Sequence, residues 1–310
     1  MPYVLTRIAR AALAAALSVT IVFFALRSAG DVAAMLVPVD ATAAAVEAIR
    51  AKWQLDAPLW RQFLTYTANV FSGDLGISMR NGTPVADLIA ARIPVTLMLG
   101  CSALLFALLI GVPLGVMAAI RQGQALDRAI IATAVVGYAL PNIFLGIVLI
   151  LIFAMNLRWL PSAGAEGPAN LVLPALTLGT SMAGVVARFT RAAMTEALRQ
   201  PYMDAAMARG MSRTEAVWYE ALPNAAIPVV TALGFIVGGL IGGAVVVETL
   251  FAWPGLGQLL AIAVAARDLP VVQAIVLLTA LSMVTTNLIV DLLYAVLDPR
   301  VRLGASGGAA

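Results

Sequence analysis

Histidine is absent from this chain of 310 residues, and cysteine and lysine occur once each, as Cys101 and Lys52. A lone cysteine forms no disulfide within the chain, and without histidine neither a Cys/His zinc site nor a Ser-His-Asp or Cys-His nucleophile can be assembled. A P-loop needs its lysine after a glycine, whereas Lys52 follows an alanine. The sequence therefore excludes a P-loop ATPase and offers no recognisable catalytic set for an intramembrane enzyme.

Charge is scarce as well. Charged residues make up 11% of the chain and hydrophobic residues 62%, whereas a soluble domain carries about 25% charge. A soluble protein of this size could not bury so much apolar surface, so the chain is an integral membrane protein. The net charge of +3 comes from arginines at the ends of apolar runs, which is typical of loops beside a membrane rather than of a nucleic-acid-binding surface.

Six apolar stretches reach the length of about 20 residues that a bilayer crossing requires. They cover residues 8–29, 93–120, 129–157, 171–187, 221–247 and 269–290. The last five contain no charged residue, and the first, which we interpret as a transmembrane helix rather than a secretory signal, has Arg10 and Arg27 near its ends. The predicted fold class is an all-α integral membrane protein with six transmembrane helices.

The arginines are distributed unequally between the two sides of the membrane. With six spans both termini share a side, and the short segments on that side hold eleven arginines, whereas the short loops opposite hold only Arg27, Arg158 and Arg267. The eleven are Arg7, Arg10, Arg121, Arg128, Arg188, Arg191, Arg199, Arg209, Arg213, Arg300 and Arg302. This bias predicts that both termini are cytoplasmic.

The long segment 30–92 then lies outside, and its pattern predicts a small helical extracytoplasmic unit. Thr42 can cap a helix in which Val46, Ile49 and Trp53 share one face, and turns are predicted around 56–60 and 72–84. The predicted organisation is a first helix with its outer segment (1–92), a transmembrane core (93–297) with a cytoplasmic insert (188–220), and a cytoplasmic tail (298–310).

The cytoplasmic insert, residues 188–220, carries five arginines and four acidic residues. Pro201 suits the first turn of a short helix, in which Asp204 and Arg209 complement the positive and negative ends of the helix dipole. Gly210 is suited to the left-handed conformation that ends a helix. The insert is therefore solvated or faces a partner.

A second helix is predicted directly after this corner. Ser212 and Glu215 have the spacing of a capping box, and Pro223 is expected to interrupt that helix where the fifth span begins. Ala205 and Ala206 give the first helix a small-residue face that another protein could approach closely. Capping signals alone also fit a loop helix without a binding role, and that alternative stays open.

The stretch "DAAMARG", nine residues and then "EALP" (204–223) resembles the EAA–x3–G–x9–I–x–LP signature of the membrane subunits of ATP-binding-cassette importers. Asp204 stands in place of the usual glutamate, and Glu220 stands where isoleucine is common. "FSGDLGIS" (71–78), "PVADLIAARIPVTLML" (84–99), "LRWLPSAG" (157–164), "VVVETLFAWPGLGQLL" (245–260) and "VDLLYAVLDPRVR" (290–302) extend the resemblance over nearly the whole chain. The chain is similar to the dipeptide/oligopeptide/nickel permease family, and within it to the B-type subunit.

The resemblance implies a type I importer permease fold in a bacterial cytoplasmic (inner) membrane. It implies a non-catalytic subunit that binds neither a cofactor nor a metal, while two cytoplasmic ATPase subunits use ATP and Mg. The further implied partners are a homologous second permease, as a heterodimer, and an extracytoplasmic substrate-binding protein, with no nucleic acid. The expected cargo is a di- or oligopeptide, with nickel chelates, glutathione and oligosaccharides as alternatives, and the residues of the substrate path are unknown. The implied ATPase-docking residues are Tyr202, Asp204, Ala205, Ala206, Arg209, Gly210, Ser212, Glu215, Leu222 and Pro223.

The alternative function is an ion-coupled secondary transporter or channel. Proton-coupled carriers place ionisable residues inside their spans, and five of the six predicted spans have none, which weighs less heavily against sodium coupling. Four further features have two interpretations each. The pairs Gly234/Gly238, Gly238/Gly242 and Gly239/Gly243 favour packing within the subunit over contact with a second permease or a narrow stretch of pore wall. Residues 253–260 favour a re-entrant outer loop over a nucleotide site, and Pro113, Pro141 and Pro174 favour helix kinks with locally satisfied carbonyls over kinks that help form the pathway. Asn142 and Asn287 favour interhelical hydrogen bonds over a place in the substrate path.

Overall fold

The computed structural model describes residues 2–27 and 56–297, together with residues 42, 44, 47, 50 and 51; for residues 2–5, 26–27 and 291–297 it describes the backbone alone. The predicted tail 298–310 and the predicted helix face of Val46, Ile49 and Trp53 lie outside the described residues. Both therefore stay predictions.

The described residues are almost entirely helical. We number the twelve helices α1 (Pro2–Arg27), α2 (Leu59–Ser72), α3 (Val85–Ile120), α4 (Ala125–Ala139), α5 (Asn142–Leu149), α6 (Ala169–Ala197), α7 (Pro201–Ala208), α8 (Arg213–Ala216), α9 (Leu222–Gly238), α10 (Leu240–Leu250), α11 (Leu256–Ala265) and α12 (Leu269–Leu297). Two wider π-helical turns, Ile150–Asn156 and Val217–Ala221, continue α5 and join α8 to α9.

Five of these helical segments are long and apolar enough to cross a membrane, and a sixth span results if the bent pair formed by α4 and the α5 segment is counted as one. This agrees with the six predicted spans. The helices at the second and fourth spans, α3 and α6, extend well beyond the predicted ends. Their extra turns carry charges such as Asp87 and Arg191, which a search for apolar runs leaves out.

The third predicted span, 129–157, is not a continuous helix. It breaks between Leu140 and Pro141, and the two halves meet at 98°. Leu140 has extended backbone angles, as the proline ring that follows requires, and Pro141 has no N–H to continue the helical ladder. By contrast, α3 continues through Pro113 and α6 through Pro174, where the two helices pack along each other.

The fifth predicted span, 221–247, is also divided. The helix that begins at Arg213 ends at Gly238, and after Gly239 the separate helix α10 runs to Leu250. The apolar pattern of the sequence predicts one uninterrupted helix through this glycine-rich stretch, and the structure shows two. The division at Gly239 lies beside the bend at Pro141, since residues from both line one cavity.

The pair α3 and α6 forms the centre of the bundle. The two helices approach closely because glycine replaces a side chain at the contact. A Cβ at Gly111 would collide with the backbone of Ala183, and one at Gly179 with the backbone of Ala103. A buried core with Leu99, Leu173 and Trp253 fills the space between this pair and α10.

The first and last spans pack against each other at the edge of the bundle. Helix α12 contacts both α1 and α9. Gly234 and Gly238 of α9 face Val290 and Met283 of α12, which supports the interpretation of that glycine pair as packing within the subunit.

Candidate functional site

Helix α7, Pro201–Ala208, forms the predicted first helix of the cytoplasmic insert. Gln200 is its N-cap residue with an extended backbone, and Pro201 fills the first helical position, where no N–H is needed. Asp204 lies in the first turn, near the positive end of the helix dipole, and Arg209 caps the opposite end. The local prediction is confirmed to within one residue.

The corner after α7 has the hydrogen bonds of a Schellman motif. The Gly210 N–H donates to the Met207 carbonyl at 3.0 Å, and the Met211 N–H donates to the Ala206 carbonyl at 3.3 Å. Gly210 has a φ of +91°, as predicted, and no atom lies within 4 Å of the position that a Cβ would occupy. Glycine is therefore needed here for its backbone conformation and not for space.

The capping box at the start of α8 is present. The Glu215 N–H donates to Ser212 Oγ at 3.3 Å, and the Ser212 N–H donates to Glu215 Oε2 at 2.7 Å. Both caps of the corner are thus made within the insert, and they set the direction of α7 relative to α8.

One face of α7 packs on the transmembrane bundle. Met203 and Ala206 are buried in a core that includes Val116 of α3 and Met194 of α6. The prediction that Ala206 faces a partner is therefore wrong, because its side chain points into this subunit. A small residue is needed there to bring α7 close to the bundle.

The opposite face of α7 is open. Pro201, Asp204, Ala205 and Ala208 are exposed, and so is Arg213 at the beginning of α8. The exposed surface combines a carboxylate, a guanidinium and small apolar side chains, which suits a polar protein surface at close approach. Of the two alanines that the sequence singles out, only Ala205 is available to a partner.

Arg209 and Glu220 form an ion pair that the sequence did not indicate. Arg209 Nη2 lies 2.8 Å from Glu220 Oε1, on a side of the corner where both side chains keep contact with solvent. Glu220 is one of the two departures from the importer signature, and its carboxylate ties the end of α7 to the π-helical turn before α9. No sequence signal predicts this pair, because eleven residues and a turn separate its members.

Tyr202 lies half-buried beside this ion pair and packs against the same core as Met203. Burial raises the pKa of the Tyr202 phenol, and the carboxylates of Glu220 and Glu196 raise it further. The phenol is therefore neutral at physiological pH and remains a hydrogen-bond donor at the rim of the α7 face.

Leu222 and Pro223, the last residues of the signature, lie where α9 begins. Leu222 packs partly buried against the core beneath α7, whereas Pro223 is exposed. Contrary to the prediction, Pro223 does not interrupt the helix, since the segment Arg213–Gly238 counts as one span. The wider π-helical turn Val217–Ala221 directly precedes Pro223 and accommodates its ring and its missing N–H.

A buried ion pair ties α4 to α6 on the same side of the bundle. Arg191 Nε and Nη2 donate to Asp127 Oδ1 and Oδ2 at 2.6 and 2.8 Å, and the Gly123 N–H donates to Oδ2 at 2.8 Å. Asp127 is buried and all of these donors converge on its carboxylate. The pair fixes the turn between α3 and α4 to the long helix that leads into α7.

At the other end of the bundle a buried carboxylate caps α11. Glu248 is fully buried in α10; its Oε1 accepts from Thr96 Oγ1 at 2.7 Å and its Oε2 accepts from the Gln258 N–H at 3.0 Å. The Leu256 N–H in turn donates to Thr96 Oγ1 at 2.7 Å. The first N–H groups of α11 therefore have partners on two other helices. Sequence reasoning missed Glu248, because it lies just past the predicted end of the fifth span.

The outer stretch between α10 and α11 is buried by protein, as the re-entrant interpretation predicts. Phe251 and Trp253 are buried, and Trp253 Nε1 donates to the Val95 carbonyl of α3 at 3.0 Å. Gly255 lies against the Glu248 carboxylate with no room for a Cβ. Most of residues 253–265 form helix α11 rather than an irregular loop.

A second buried carboxylate, Asp268, holds the outer turns 74–84 to the beginning of α12. It accepts a short hydrogen bond from the Ser78 hydroxyl and one of 3.0 Å from the Met79 N–H. Gly73, Gly76 and Gly82 have positive φ angles, so the predicted turns in this stretch are confirmed.

An open cleft of about 460 Å³ lies where α4 bends into α5 and α9 breaks before α10. Tyr138, Asn142 and Ser181 contribute polar groups to its wall, and Phe235 and Gly239 contribute apolar surface. The volume falls within the roughly 300–1,000 Å³ range of small-molecule sites. Asn142 lines this cleft, and its place in a substrate path stays a prediction.

Comparison with known proteins supports a membrane subunit of a transport system. Residues 111–303 match the family model described as "Binding-protein-dependent transport system inner membrane component". The glutathione transport system permease protein GsiC of Escherichia coli O6:H1 (strain CFT073) is 43% identical over 285 residues, which cover 92% of this chain and 93% of that protein. The GsiC proteins of Escherichia coli K12 and of Shigella dysenteriae serotype 1 are each 42% identical over the same length.

Among solved structures, the MetNI methionine ABC transporter in inward-facing conformations is similar in fold. A chain of its native crystal form matches with a TM-score of 0.53 at 23% sequence identity, covering 66% of this chain and 95% of that chain. A second crystal form gives a TM-score of 0.53 over 70% of this chain. The matched architecture is that of a type I importer membrane subunit.

Proposed function

The chain belongs to the family of binding-protein-dependent transport system inner membrane components and is the permease subunit of an ATP-binding-cassette importer, and we propose that its cargo is a short peptide of the size and polarity of glutathione. The observation that carries this cargo is the 43% identity to a glutathione permease over 92% of the chain. The open cleft beside Pro141 is consistent with it, because its volume suits a small solute and Tyr138, Asn142 and Ser181 offer hydrogen-bonding groups.

In this proposal the chain is non-catalytic and binds no nucleotide, metal or other cofactor. Two separate cytoplasmic ATPase subunits bind ATP and Mg, and an extracytoplasmic binding protein delivers the peptide. A homologous permease pairs with this one as a heterodimer, so that the cavities of both face a shared path. The arginine bias supports cytoplasmic termini. With this orientation, α7 lies on the side of the membrane where ATP is available.

The exposed face of α7 is the contact for one ATPase subunit. Its buried face, with Met203 and Ala206, is packed into the core shared with α3, α6 and α9. A force applied to the exposed face is therefore transmitted directly to three spans. The Schellman corner at Gly210 and the capping box at Ser212 keep α7 from tilting independently.

The cargo and the energy source can be tested together in proteoliposomes that contain this chain, its partner permease and their ATPases. With the binding protein outside, we expect uptake of radiolabelled glutathione only when ATP is enclosed, and no loss of uptake with ionophores. Unlabelled glutathione should compete better than a dipeptide or a nickel chelate. Uptake by the isolated chain under an ion gradient would overturn the proposal in favour of an ion-coupled carrier.

The two adjacent alanines of α7 offer a matched test of docking. In a Cys101→Ser background, Ala205→Cys should react with a membrane-impermeant maleimide applied to the cytoplasmic side and should be protected when the ATPase subunits are bound. Ala206→Cys should stay unreactive in both states, because its side chain faces the bundle. Equal labelling of Ala205→Cys with and without the ATPases would show that α7 is not the contact.

A further inference from the structure

Helix α2, Leu59–Ser72, is strongly amphipathic, yet none of its fourteen residues is buried. Its sequence, LWRQFLTYTANVFS, places an apolar arc along about half of the helix surface and polar residues along the rest, at about 100° per residue. An apolar arc of this kind normally lies against something. Only part of it is covered by this chain.

The covered part packs on the end of α1. The rings of Phe63 and Tyr66 stack with those of Phe24 and Phe23, with centroids 5.7 and 5.5 Å apart. These aromatic contacts lie within the last five residues of α1, which ends at Arg27. Helix α2 is therefore held at the level where the first span leaves the hydrocarbon core.

The uncovered part is a stripe of three large side chains, Trp60, Leu64 and Phe71. They lie within an arc of about 40°, directly beside the face that packs on α1. Their exposed fractions are 64%, 58% and 86%. We refer to these three residues as the α2 stripe.

The other side of α2 is polar. Arg61, Thr65, Asn69 and Ser72 lie on the arc opposite the packed face, and Arg61, Thr65 and Asn69 are exposed. The helix thus has three sides: aromatic contacts to α1, the α2 stripe, and a polar side. A helix that lies in the plane of a membrane interface has an apolar side in lipid and a polar side in water. The α2 stripe and the polar side of α2 meet these two requirements, while its third side packs on α1.

Helix α1, on which α2 packs, also has uncovered apolar side chains. Leu13, Leu17 and Ile21 are exposed along a helix that is long and apolar enough to span a membrane, and such a surface is suited to acyl chains. Tryptophan and phenylalanine are the residues that settle at the boundary between acyl chains and headgroups. We propose that α2 lies in the membrane interface at the Arg27 end of α1 and that its stripe is seated in the lipid of that leaflet.

In this interfacial position α2 has a role that does not depend on the cargo. The helix anchors the extracytoplasmic segment to the membrane surface, beside the first span. The lipid it requires is an ordinary bilayer leaflet, and no specific headgroup is implied because Arg61 is the only charged residue of α2.

The proposal can be tested by spin labelling of the full chain in vesicles of phosphatidylethanolamine and phosphatidylglycerol. In a Cys101→Ser background, nitroxides are attached at Leu64→Cys and Phe71→Cys, and at Arg61→Cys and Thr65→Cys as matched controls on the polar side. Labels on the stripe should relax several-fold more with oxygen than with a water-soluble nickel chelate. The controls should show the reverse preference.

Three outcomes would overturn the proposal. Stripe labels that respond to the nickel chelate would place the stripe in water, and labels that respond to neither reagent would show that protein covers it. Addition of a soluble substrate-binding protein should leave the stripe labels unchanged; protection that appears only then would assign the stripe to that protein. None of these outcomes depends on transport, so they are independent of the proposed function.

A second measurement avoids labels and large side-chain changes. Brominated lipids quench the fluorescence of tryptophans that contact acyl chains, and Trp60→Phe keeps an aromatic ring at the same position. If Trp60 lies in lipid, the wild-type chain should show a larger quenched fraction than Trp60→Phe. Equal quenched fractions in the two proteins would contradict the proposal.

Discussion

Replacing Gly210 with valine is expected to lower ATP-driven uptake at least tenfold while the subunit still inserts into the membrane. The backbone at Gly210 has a φ of +91°, which costs an L-residue about 1–3 kcal/mol and a β-branched one the most. Relief of that strain breaks the hydrogen bonds from Gly210 to Met207 and from Met211 to Ala206. The direction of α7 is then no longer set, and motion of the ATPases is no longer transmitted.

The loss should appear as uncoupling, because a side chain at Gly210 has no neighbour within 4 Å of its Cβ and does not disturb the transmembrane packing. Uptake and ATP hydrolysis are measured in the same proteoliposomes; we expect uptake to fall far more than hydrolysis. Gly210→Asn should retain much of the uptake, since asparagine tolerates the left-handed conformation. Normal uptake by Gly210→Val would show that this corner does not need a fixed shape.

The matched control is Gly73→Val. Gly73 has a φ of +82° and also has no neighbour within 4 Å of its Cβ position. Its strain is therefore comparable, but it ends helix α2 instead of helix α7. Uptake by this variant should stay near that of the wild type, and an equal loss in both variants would indicate a general effect on folding.

Replacing Glu248 with alanine is expected to cause the largest loss of stability among single carboxylate changes in the described part of the chain. The Gln258 N–H and the buried Thr96 hydroxyl would both lose an acceptor. Each orphaned buried donor costs about 1–3 kcal/mol, and the cavity left by the side chain adds to that cost. The first turn of α11 would separate from α3 and α10, and Trp253 would lose its fixed position.

The measurement is thermal unfolding of the purified chain in detergent, together with the yield of the intact importer. Glu248→Gln should lie between the wild type and the alanine variant, because its amide oxygen still accepts one hydrogen bond. Glu166→Ala removes an exposed carboxylate on another loop and should leave the unfolding temperature unchanged. A Glu248→Ala protein as stable as the Glu166→Ala protein would contradict the capping role.

The buried position of Glu248 also bears on the alternative function. The sequence argued against proton coupling because five predicted spans contain no ionisable residue. The structure places Glu248 in an apolar helix, yet both of its carboxylate oxygens accept hydrogen bonds from fixed donors. A carboxylate used in this way serves as a helix cap, and the comparisons identify an ATP-driven family.

The sequence alone determined the membrane class, the number of spans and the local shape of the corner after α7. Span number follows from apolar length, and the corner follows from Gly210 and the Ser212–Glu215 box, whose partners lie within five residues. Interactions over so short a distance along the chain depend on residue type and spacing. The importer signature then connects this corner to a function, and the family is confirmed by the matched relatives.

The tertiary structure decided which side of each helix is buried against its neighbours and which side stays exposed. Ala205 and Ala206 are the same residue type and lie next to each other in the chain. Packing of α7 against Met194 and Val116 buries Ala206, whereas Ala205 stays exposed. Arg209 meets Glu220 across a corner, and Glu248 meets Thr96 from 152 residues away. Both positions are prolines within apolar runs, yet the chain breaks at Pro141 and continues through Pro113. The helix around Pro113 packs along α6 over its length. These outcomes depend on contacts between distant segments, which residue type and local spacing do not specify.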